Sequence, residues 1–164
     1  MKILRKTLNL TKKFLKFLSF LLIFNCSIYA KSSNLEVIDG DTIKFNEKKF
    51  RLYGIDAPEI NQKCKINGKD YFCGRKSKDF LEAKILGKEI SCLEKDKDRY
   101  KRIIAICYLQ NKDLNKMMVK NGWALAYRRY SSDYISDEIF AKQNNLGIWK
   151  GEFMDPSKWR RFYK

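Results

Sequence analysis

The sequence contains no histidine. This absence excludes mechanisms that use an imidazole as base or ligand, including Ser-His-Asp and Cys-His nucleophiles and His-ligated zinc sites. Its five cysteines show no Cys-x-x-Cys spacing, so a zinc cluster explains them poorly. We find no internal repeat and no low-complexity linker, and the length favours one domain after the N-terminal segment.

The N-terminal segment, residues 1–30, differs from the rest of the chain. It contains six lysines and arginines and no acidic residue, and its apolar run extends from residue 17 to 29. This pattern is typical of a secretory signal peptide cleaved after Ala30. An uncleaved anchor and, through Cys26, a lipoprotein are the alternatives. We therefore predict a signal peptide over 1–30, its only membrane contact, and one domain over 31–164 that is exported, periplasmic or secreted.

Basic residues outnumber acidic ones throughout. Removing the predicted signal lowers the net charge from +16 to +10, which still favours a polyanionic substrate. A lysine-rich surface that only confers solubility is the alternative. Nine tyrosines and the pairs Arg128-Arg129 and Arg160-Arg161 favour nucleic acid, because aromatic rings stack on bases.

Hydrophobic periodicity predicts an α+β domain, a five-stranded OB-fold antiparallel β-barrel with three α-helices. The predicted strands cover residues 35–38, 42–45, 49–55, 89–94 and 103–109. The predicted helices cover 74–86, the segment from Asp113 to Gly122, and 134–145. The methionines at 117 and 118 are interpreted as core residues.

Four cysteines remain after the predicted signal peptide, and an even number in an exported chain favours disulfides. Three pairings are possible. Cys92 and Cys107 flank a predicted hairpin centred between Arg99 and Tyr100, so a symmetric register places them opposite each other. The predicted disulfides are therefore Cys92–Cys107 and Cys64–Cys73.

Residues 39–59 contain most of the candidate metal-binding and catalytic side chains. Asp39, Asp41, Asp56 and Glu59 lie at the two ends of a predicted hairpin, and Arg51 lies between them. Oxygen ligands suit a hard cation such as calcium or magnesium, and carboxylates beside a guanidinium suit a phosphate-containing substrate. Acidic turn residues that only shape the backbone are the alternative.

Two segments, 39–59 and the Asp-Arg-Tyr-Lys-Arg motif at 98–102, carry a family resemblance. The chain resembles the staphylococcal nuclease (thermonuclease) family from about residue 35 to 149. Two positions depart from the family pattern. Ala57 stands where the type enzyme has threonine, and Lys101 stands where it has glycine.

The resemblance implies a metal site. Asp41, Asp56 and the backbone carbonyl of Ala57 match the ligands of a single calcium ion. Asp39 is expected to lie just outside these ligands and to order water there.

The resemblance also implies catalytic and nucleotide-binding residues. Glu59 matches the general base, and Arg51 and Arg102 match arginines that stabilise charge on the phosphoryl oxygens. Three side chains are expected to contact the nucleotide: Arg99, Tyr100 and Tyr127. For Tyr127 a purely structural role is an equal alternative.

By this resemblance the chain is an exported, calcium-dependent phosphodiesterase that cuts DNA and RNA with little sequence preference and leaves 3′-phosphate ends. It is expected to be a monomer without a stable protein partner. The alternative is a non-catalytic OB-fold module for nucleic-acid binding or cell-surface interaction. Such a module has no use for Asp41, Asp56 and Glu59, which repel phosphate when no cation is present.

Overall fold

A mixed β-sheet lies at the centre of the computed structural model, which describes residues 35–163. The predicted signal peptide, its cleavage after Ala30 and the lipoprotein alternative at Cys26 lie outside these residues. Within the described part of the chain, no helix has the length and apolar character needed to cross a bilayer.

The described residues form ten short strands. In chain order they are β1 Glu36–Asp39, β2 Thr42–Phe45, β3 Lys48–Leu52, β4 Ile55–Asp56, β5 Cys64–Ile66, β6 Lys69–Tyr71, β7 Ile90–Lys97, β8 Ile103–Leu109, β9 Lys112–Asp113 and β10 Leu125–Ala126. The main sheet has the order β1-β2-β3-β8-β7, with β9 paired to β8. Strands β3 and β8 are parallel, and the other neighbours in this sheet are antiparallel.

The helices surround this sheet. They are α1 Cys73–Ile85, α2 Leu114–Lys120, α3 Ile135–Gln143 and α4 Pro156–Tyr163, with a 3-10 helix over Gly147–Lys150. Helices α1, α2 and α3 correspond to the three predicted helices, and each of their ends lies within two residues of the predicted one. Asp113 caps α2 as predicted, because its carboxylate accepts the amide of Lys116 at 2.9 Å.

The α+β class is confirmed, and the five predicted strands correspond to β1, β2, β3, β7 and β8. Closure into a barrel is not confirmed, because the pairings between described strands run from β1 to β7 without joining these two ends. The parallel pair β3–β8 also departs from the purely antiparallel pattern that we predicted.

The predicted strand 49–55 is divided into β3 and β4. Gly54 adopts φ +72°, a left-handed conformation that interrupts an extended strand, and a Cβ there would lie 2.9 Å from the ring of Tyr134. After this turn, β4 leaves the main sheet and pairs with β10. The turn therefore carries Asp56 away from the sheet towards the candidate site.

The fourth helix was not predicted, so the helix count of three was wrong. Asp155 accepts the amides of Ser157 at 2.8 Å and Lys158 at 3.1 Å, and Pro156 occupies the first helical position. An N-cap aspartate followed by proline is a recognised helix start, so the sequence contained this signal. Helix α4 carries Arg160, which matters below.

The core joins the sheet to α1 and α2. Ile43 of β2, Leu52 of β3, Leu81 and Ile85 of α1 and Met118 of α2 are fully buried. The interpretation of Met118 as a core residue is therefore confirmed. This packing holds α1 and α2 against the main sheet.

Both predicted disulfides are present. Cys64 and Cys73 are joined with Cα atoms 5.6 Å apart, and Cys92 and Cys107 are joined with Cα atoms 4.0 Å apart. Cys92 and Cys107 are direct partners in the β7–β8 register, as the symmetric hairpin required. The loop closed by Cys64–Cys73 contains the β5–β6 hairpin, which the sequence analysis did not predict.

The Cys92–Cys107 bond should stabilise the hairpin measurably. Closing a loop of this size is worth about 3 kcal/mol in the chain-entropy description, so Cys92→Ala/Cys107→Ala should lower the free energy of unfolding by roughly that amount. Denaturant titration checks this, with wild-type protein measured under the same oxidising conditions. Mass spectrometry of an unreduced digest should find peptides linked 64 to 73 and 92 to 107. Free thiols at these positions in exported protein would contradict the prediction.

Candidate active site

The turn between β1 and β2 brings Asp41 against helix α1. Gly40 makes this approach possible, because a Cβ at this position would lie 1.9 Å from the hydroxyl of Ser77 and 2.8 Å from the Cβ of Ala57. The close contact places Asp41 beside the chain that follows β4. Asp41 is buried in this position, with 5% of its surface exposed.

Arg51 joins the two buried aspartates. Its Nη1 contacts the Asp41 carboxylate, and its Nη2 lies 3.0 Å from Asp56 Oδ1. Asp56 is 3% exposed, and the side chain of Arg51 is largely buried. Because buried charges are costly unless they are paired, this arginine offsets part of the cost of burying both carboxylates.

Asp41 is held by its neighbours on both oxygens. The Thr42 hydroxyl donates to Oδ1 at 3.1 Å, and the Ala57 amide donates to Oδ2 at 2.8 Å. Asp39 lies next to it and accepts the Asp41 amide at 3.0 Å. Burial, the charge of Asp41 and a hydrogen bond with it raise the pKa of Asp39 to about 7. The structure therefore brings Asp39, Asp41, Asp56 and Ala57 together, as the sequence predicted.

Glu59 lies in a tight turn that packs on the start of α1. The Gln62 amide donates to the Glu59 carbonyl at 2.7 Å, and the Glu59 amide donates to the Gln62 side chain at 3.2 Å. A Cβ at Gly74 would lie 1.7 Å from the Glu59 carbonyl oxygen, so this turn needs glycine at the helix start. The backbone of Glu59 is thereby fixed next to Asp56.

A second arginine, which sequence reasoning did not assign to the site, connects Glu59 to Asp56. Arg160 of α4 lies 2.9 Å from both oxygens of Asp56 and 3.0 Å from Glu59 Oε1. Burial raises the pKa of Asp56, and the hydrogen bond from Arg160 opposes that rise. The site is thus a group of carboxylates linked by two guanidinium groups.

The donors of this site suit a hard cation. Among residues 35–163, no three His, Cys, Asp or Glu side chains converge closely enough to form a metal-binding group by themselves. The cluster nevertheless contains four carboxylates and two arginines. Its potential metal ligands are all oxygen atoms, and Asp41 and Asp56 are buried. An excess of buried acidic oxygen fits calcium, which accepts carboxylate, carbonyl and water ligands in a flexible shell.

Arg102 belongs to a separate turn, between β7 and β8. Its Nε donates to Asp98 Oδ2 at 2.7 Å, and Asp98 Oδ1 accepts the amides of Arg102 at 3.0 Å and Tyr100 at 2.9 Å. Burial by itself raises the pKa of Asp98, but the hydrogen bonds and charge of Arg102 outweigh it and lower that pKa. The described contacts of Arg102 lie within its own turn, so the structure does not join it to Arg51.

Lys101 is one of the two departures from the family pattern, and the shape of the turn shows how it is accommodated. It adopts φ +63°, in the left-handed region that glycine occupies without strain. The amide of Lys101 donates to the Asp98 carbonyl at 2.9 Å, and the amide of Asp98 donates to the Arg102 carbonyl at 3.0 Å. The turn therefore keeps the backbone shape of a glycine turn although lysine stands there.

The predicted nucleotide-contacting residues differ in exposure. Tyr100 is 66% exposed, and the Arg99 guanidinium lies 5.0 Å from the centre of its ring. Tyr127 is only partly exposed, and its ring packs edge-on against Tyr130 with centroids 4.9 Å apart. Tyr100 is thus available for stacking, whereas Tyr127 already has a structural contact.

The two arginine pairs do not form uniform basic patches. Arg128 and Arg129 are both exposed, and Arg128 pairs with the buried Glu138. Arg160 enters the carboxylate cluster, and Arg161 is exposed. The sequence analysis attributed both members of each pair to nucleic-acid binding, because charge composition does not show which side chain faces inwards.

Comparison with known proteins gives a consistent result. The family described as "Staphylococcal nuclease homologue" matches residues 49–151. A Haemophilus influenzae protein named "Uncharacterized endonuclease" is 36% identical over 156 residues, which cover 87% of this chain and 83% of the relative. A Shigella flexneri protein named "Micrococcal nuclease" is 30% identical over 148 residues, covering 79% of this chain and 80% of the relative. Asp41 precedes the family match, and Arg160 follows it.

Asp98 gives a pH-dependent prediction. Its pKa is lowered in the folded state, so its charge stabilises the fold above the unfolded pKa of about 3.9 and this contribution is lost as the pH falls through the lowered value. Asp98→Asn should therefore lower the melting temperature near about pH 7, and the difference from wild type should shrink towards about pH 3. Thermal unfolding followed by circular dichroism checks this. Asp96→Asn, an exposed site in the same hairpin, is the matched control. A difference that stays constant down to low pH would contradict the assignment to charge.

Proposed function

Since the chain belongs to the staphylococcal nuclease family and hydrolyses phosphodiester bonds, we propose that it is a calcium-dependent endonuclease that cuts DNA and RNA with low sequence specificity and leaves 3′-phosphate ends. The observation that carries the proposal is the buried Asp41–Arg51–Asp56 group with Glu59 at its edge. A module that only binds nucleic acid gains nothing from burying carboxylates where phosphate must approach.

Asp41, Asp56 and the Ala57 carbonyl are the groups that would hold the ion, and Asp39 would order water beside them. Calcium supplies, when bound, positive charge that offsets the negative charge of the substrate. Arg51 keeps Asp41 and Asp56 apart and oriented, since it contacts both carboxylates. The Ala57 amide donates to Asp41, so the same residue that offers a carbonyl also fixes a predicted ligand.

Glu59 takes the proton from the attacking water in this proposal. A general base must have a carboxylate oxygen within hydrogen-bond reach of the water and a fixed orientation. One oxygen of Glu59 accepts from Arg160, and its backbone is held by Gln62. These contacts limit the conformations available to the carboxylate before substrate binds.

Arg51 and Arg102 donate to the phosphoryl oxygens as negative charge develops on them. Each preorganised donor of this kind is typically worth about 10²–10³ in rate. Arg51 is already fixed between two carboxylates. Arg102 is oriented by Asp98 on an exposed turn, next to Tyr100, on which a base could stack.

The charge and the disulfides support the remaining parts of the proposal. The net charge of +10 that remains after the predicted signal peptide is removed attracts nucleic acid before specific contacts form. The two disulfides support export to an oxidising compartment, periplasmic or extracellular. DNA and RNA are the proposed substrates of a monomer that needs no stable protein partner.

Activity should depend on calcium. Cleavage of plasmid DNA should be lost in excess EGTA and return when calcium is restored, and magnesium should substitute poorly because it demands a tighter, more regular shell. The measurement is the initial cleavage rate across a series of divalent ions, with RNA as a second substrate. Full activity in excess EGTA would rule out the calcium requirement.

Binding and catalysis should separate in variants of the site. Glu59→Gln keeps the shape but removes the base, so single-turnover cleavage should fall by about 10²-fold or more while DNA affinity stays similar. Arg102→Lys keeps the charge but loses the planar two-pronged donor, so it should also reduce turnover more than affinity. Single-turnover cleavage and fluorescence-anisotropy binding, at two salt concentrations, provide the measurements.

Glu89→Gln, at an exposed position, is the control for a change of the same charge and shape outside the site. Higher salt should weaken DNA binding with similar slopes in all variants, because the broad basic surface supplies most of the counterion release. If Glu59→Gln and Arg102→Lys both cleave like wild type, the acidic group is not the active site and the binding-module alternative is favoured.

A further inference from the structure

The C-terminal segment contributes to the site although it lies beyond the family match, which ends at residue 151. Helix α4 places Arg160 against Asp56, although the two residues are 104 positions apart in sequence. The contact is not isolated. Three further connections join the same segment to the loop that carries Glu59.

The first two connections are backbone hydrogen bonds. Lys65 and Glu152 form an isolated antiparallel bridge, with the Lys65 amide 2.8 Å from the Glu152 carbonyl and the Glu152 amide 2.9 Å from the Lys65 carbonyl. A Cβ at Gly151 would lie 1.9 Å from the Lys65 carbonyl oxygen, so the two chains are in close contact. This bridge fixes the start of the segment on the loop closed by Cys64–Cys73.

The third connection runs through a buried side chain. Gln62 is fully buried, its Nε2 donates to the Met154 carbonyl at 2.7 Å, and its Oε1 accepts the Glu59 amide at 3.2 Å. One side chain therefore ties the Glu59 backbone to the residue two positions before helix α4 begins. The Glu59 turn and the C-terminal segment are held as one unit.

Arg160 completes this arrangement at the side-chain level. Its Nη1 and Nη2 lie 2.9 Å from Oδ1 and Oδ2 of Asp56, which is the two-pronged arginine–carboxylate geometry, and Nη1 also lies 3.0 Å from Glu59 Oε1. Both carboxylates are therefore fixed by one planar group. Lysine cannot reproduce this geometry, because its ammonium is a single point charge on a flexible chain.

The two-pronged contact between Arg160 and Asp56 can remain in place when an ion is bound. Asp56 Oδ1 accepts from both Arg51 and Arg160, whereas Oδ2 accepts from Arg160. Because a carboxylate offers about four acceptor positions, Oδ2 keeps room for a further ligand. Arg160 thus orients Asp56 without using all of its oxygen capacity.

We propose that Arg160 is a positioning residue of the hydrolysis: it fixes the carboxylates of Asp56 and Glu59, and it makes helix α4 a part of the active site. The inference rests on the proposed role of Glu59 as the base. It separates Arg160 from its neighbour Arg161, which is exposed and serves the general basic surface.

The test compares Arg160→Gln and Arg160→Lys with Arg161→Gln, a matched change on the same helix. Arg160→Gln should lower kcat by about 10- to 100-fold, the range expected when a reacting group is misplaced, with KM for DNA changed less than about threefold. Arg160→Lys should lower kcat nearly as much as Arg160→Gln, because lysine lacks the planar two-pronged donor. Arg161→Gln removes one charge of the basic surface, so it should raise KM for DNA rather than lower kcat. Wild-type kcat in either Arg160 variant would overturn the proposal.

A double-variant cycle distinguishes positioning from general support of the fold. If Arg160 acts through Glu59, then Arg160→Gln should lower kcat by less than about threefold when Glu59→Gln is already present. A loss as large as in wild type in both the Glu59→Gln and the Asp56→Asn backgrounds would overturn the proposal. If Glu59→Gln alone has no effect, the proposed function itself fails, which is a different result from an inert Arg160.

Thermal unfolding without calcium supplies a readout that does not depend on activity. Breaking the contacts with buried carboxylates should lower the melting temperature of metal-free Arg160→Gln by about 3 °C or more, and Arg161→Gln should melt like wild type. In the Asp56→Asn background, Arg160→Gln should lower the melting temperature much less, because the charge of Asp56 is already absent. Equal melting temperatures for wild type and Arg160→Gln would show that the contact does not form, and would overturn the proposal.

Discussion

The arrangement of the site depends on one interaction, the pairing of Arg51 with the carboxylates of both Asp41 and Asp56. Two carboxylates that are almost fully buried would repel each other and lose hydration, and the guanidinium between them offsets both costs. The β2–β3 register sets this geometry, because Arg51 lies opposite Thr42, the residue after Asp41. Removing one partner of such a buried group typically costs about 3–5 kcal/mol, since the remaining charge has no compensation. Fold stability and site chemistry therefore depend on the same ion pairs.

The two disulfides each stabilise a segment that carries a site residue. Cys64–Cys73 closes the loop that follows Glu59 and joins it to the start of α1. Cys92–Cys107 links the two strands of the hairpin whose turn contains Arg102. Three of the four cysteines, Cys64, Cys73 and Cys107, are buried in the core clusters, so both disulfides lie in packed parts of the protein. The disulfides therefore add covalent closure next to the segments in which the proposed chemistry needs fixed groups.

The sequence was sufficient for the local parts of this account. Asp39, Asp41, Arg51 and Asp56 lie close together in sequence, between residues 39 and 56, so strand periodicity and turn residues were enough to predict that they meet. Arg160 lies 101 residues from Glu59, and no periodic pattern links positions that meet only through tertiary packing. The parallel pairing of β3 with β8 was missed for the same reason. The start of α4 at Asp155 was visible in the sequence, but the direction in which Arg160 points was not.

Asp41 and Asp56 are proposed to form an oxygen site for one divalent cation, held in shape by arginine. Isothermal titration calorimetry of calcium binding to the DNA-free protein tests it most directly. The account predicts one calcium ion per chain, with affinity lowered at least about tenfold in Asp41→Asn and Asp56→Asn and unchanged in Asp96→Asn, because each carboxylate lost removes both a ligand and a charge. Calcium binding of wild-type strength in both site variants would contradict the claim.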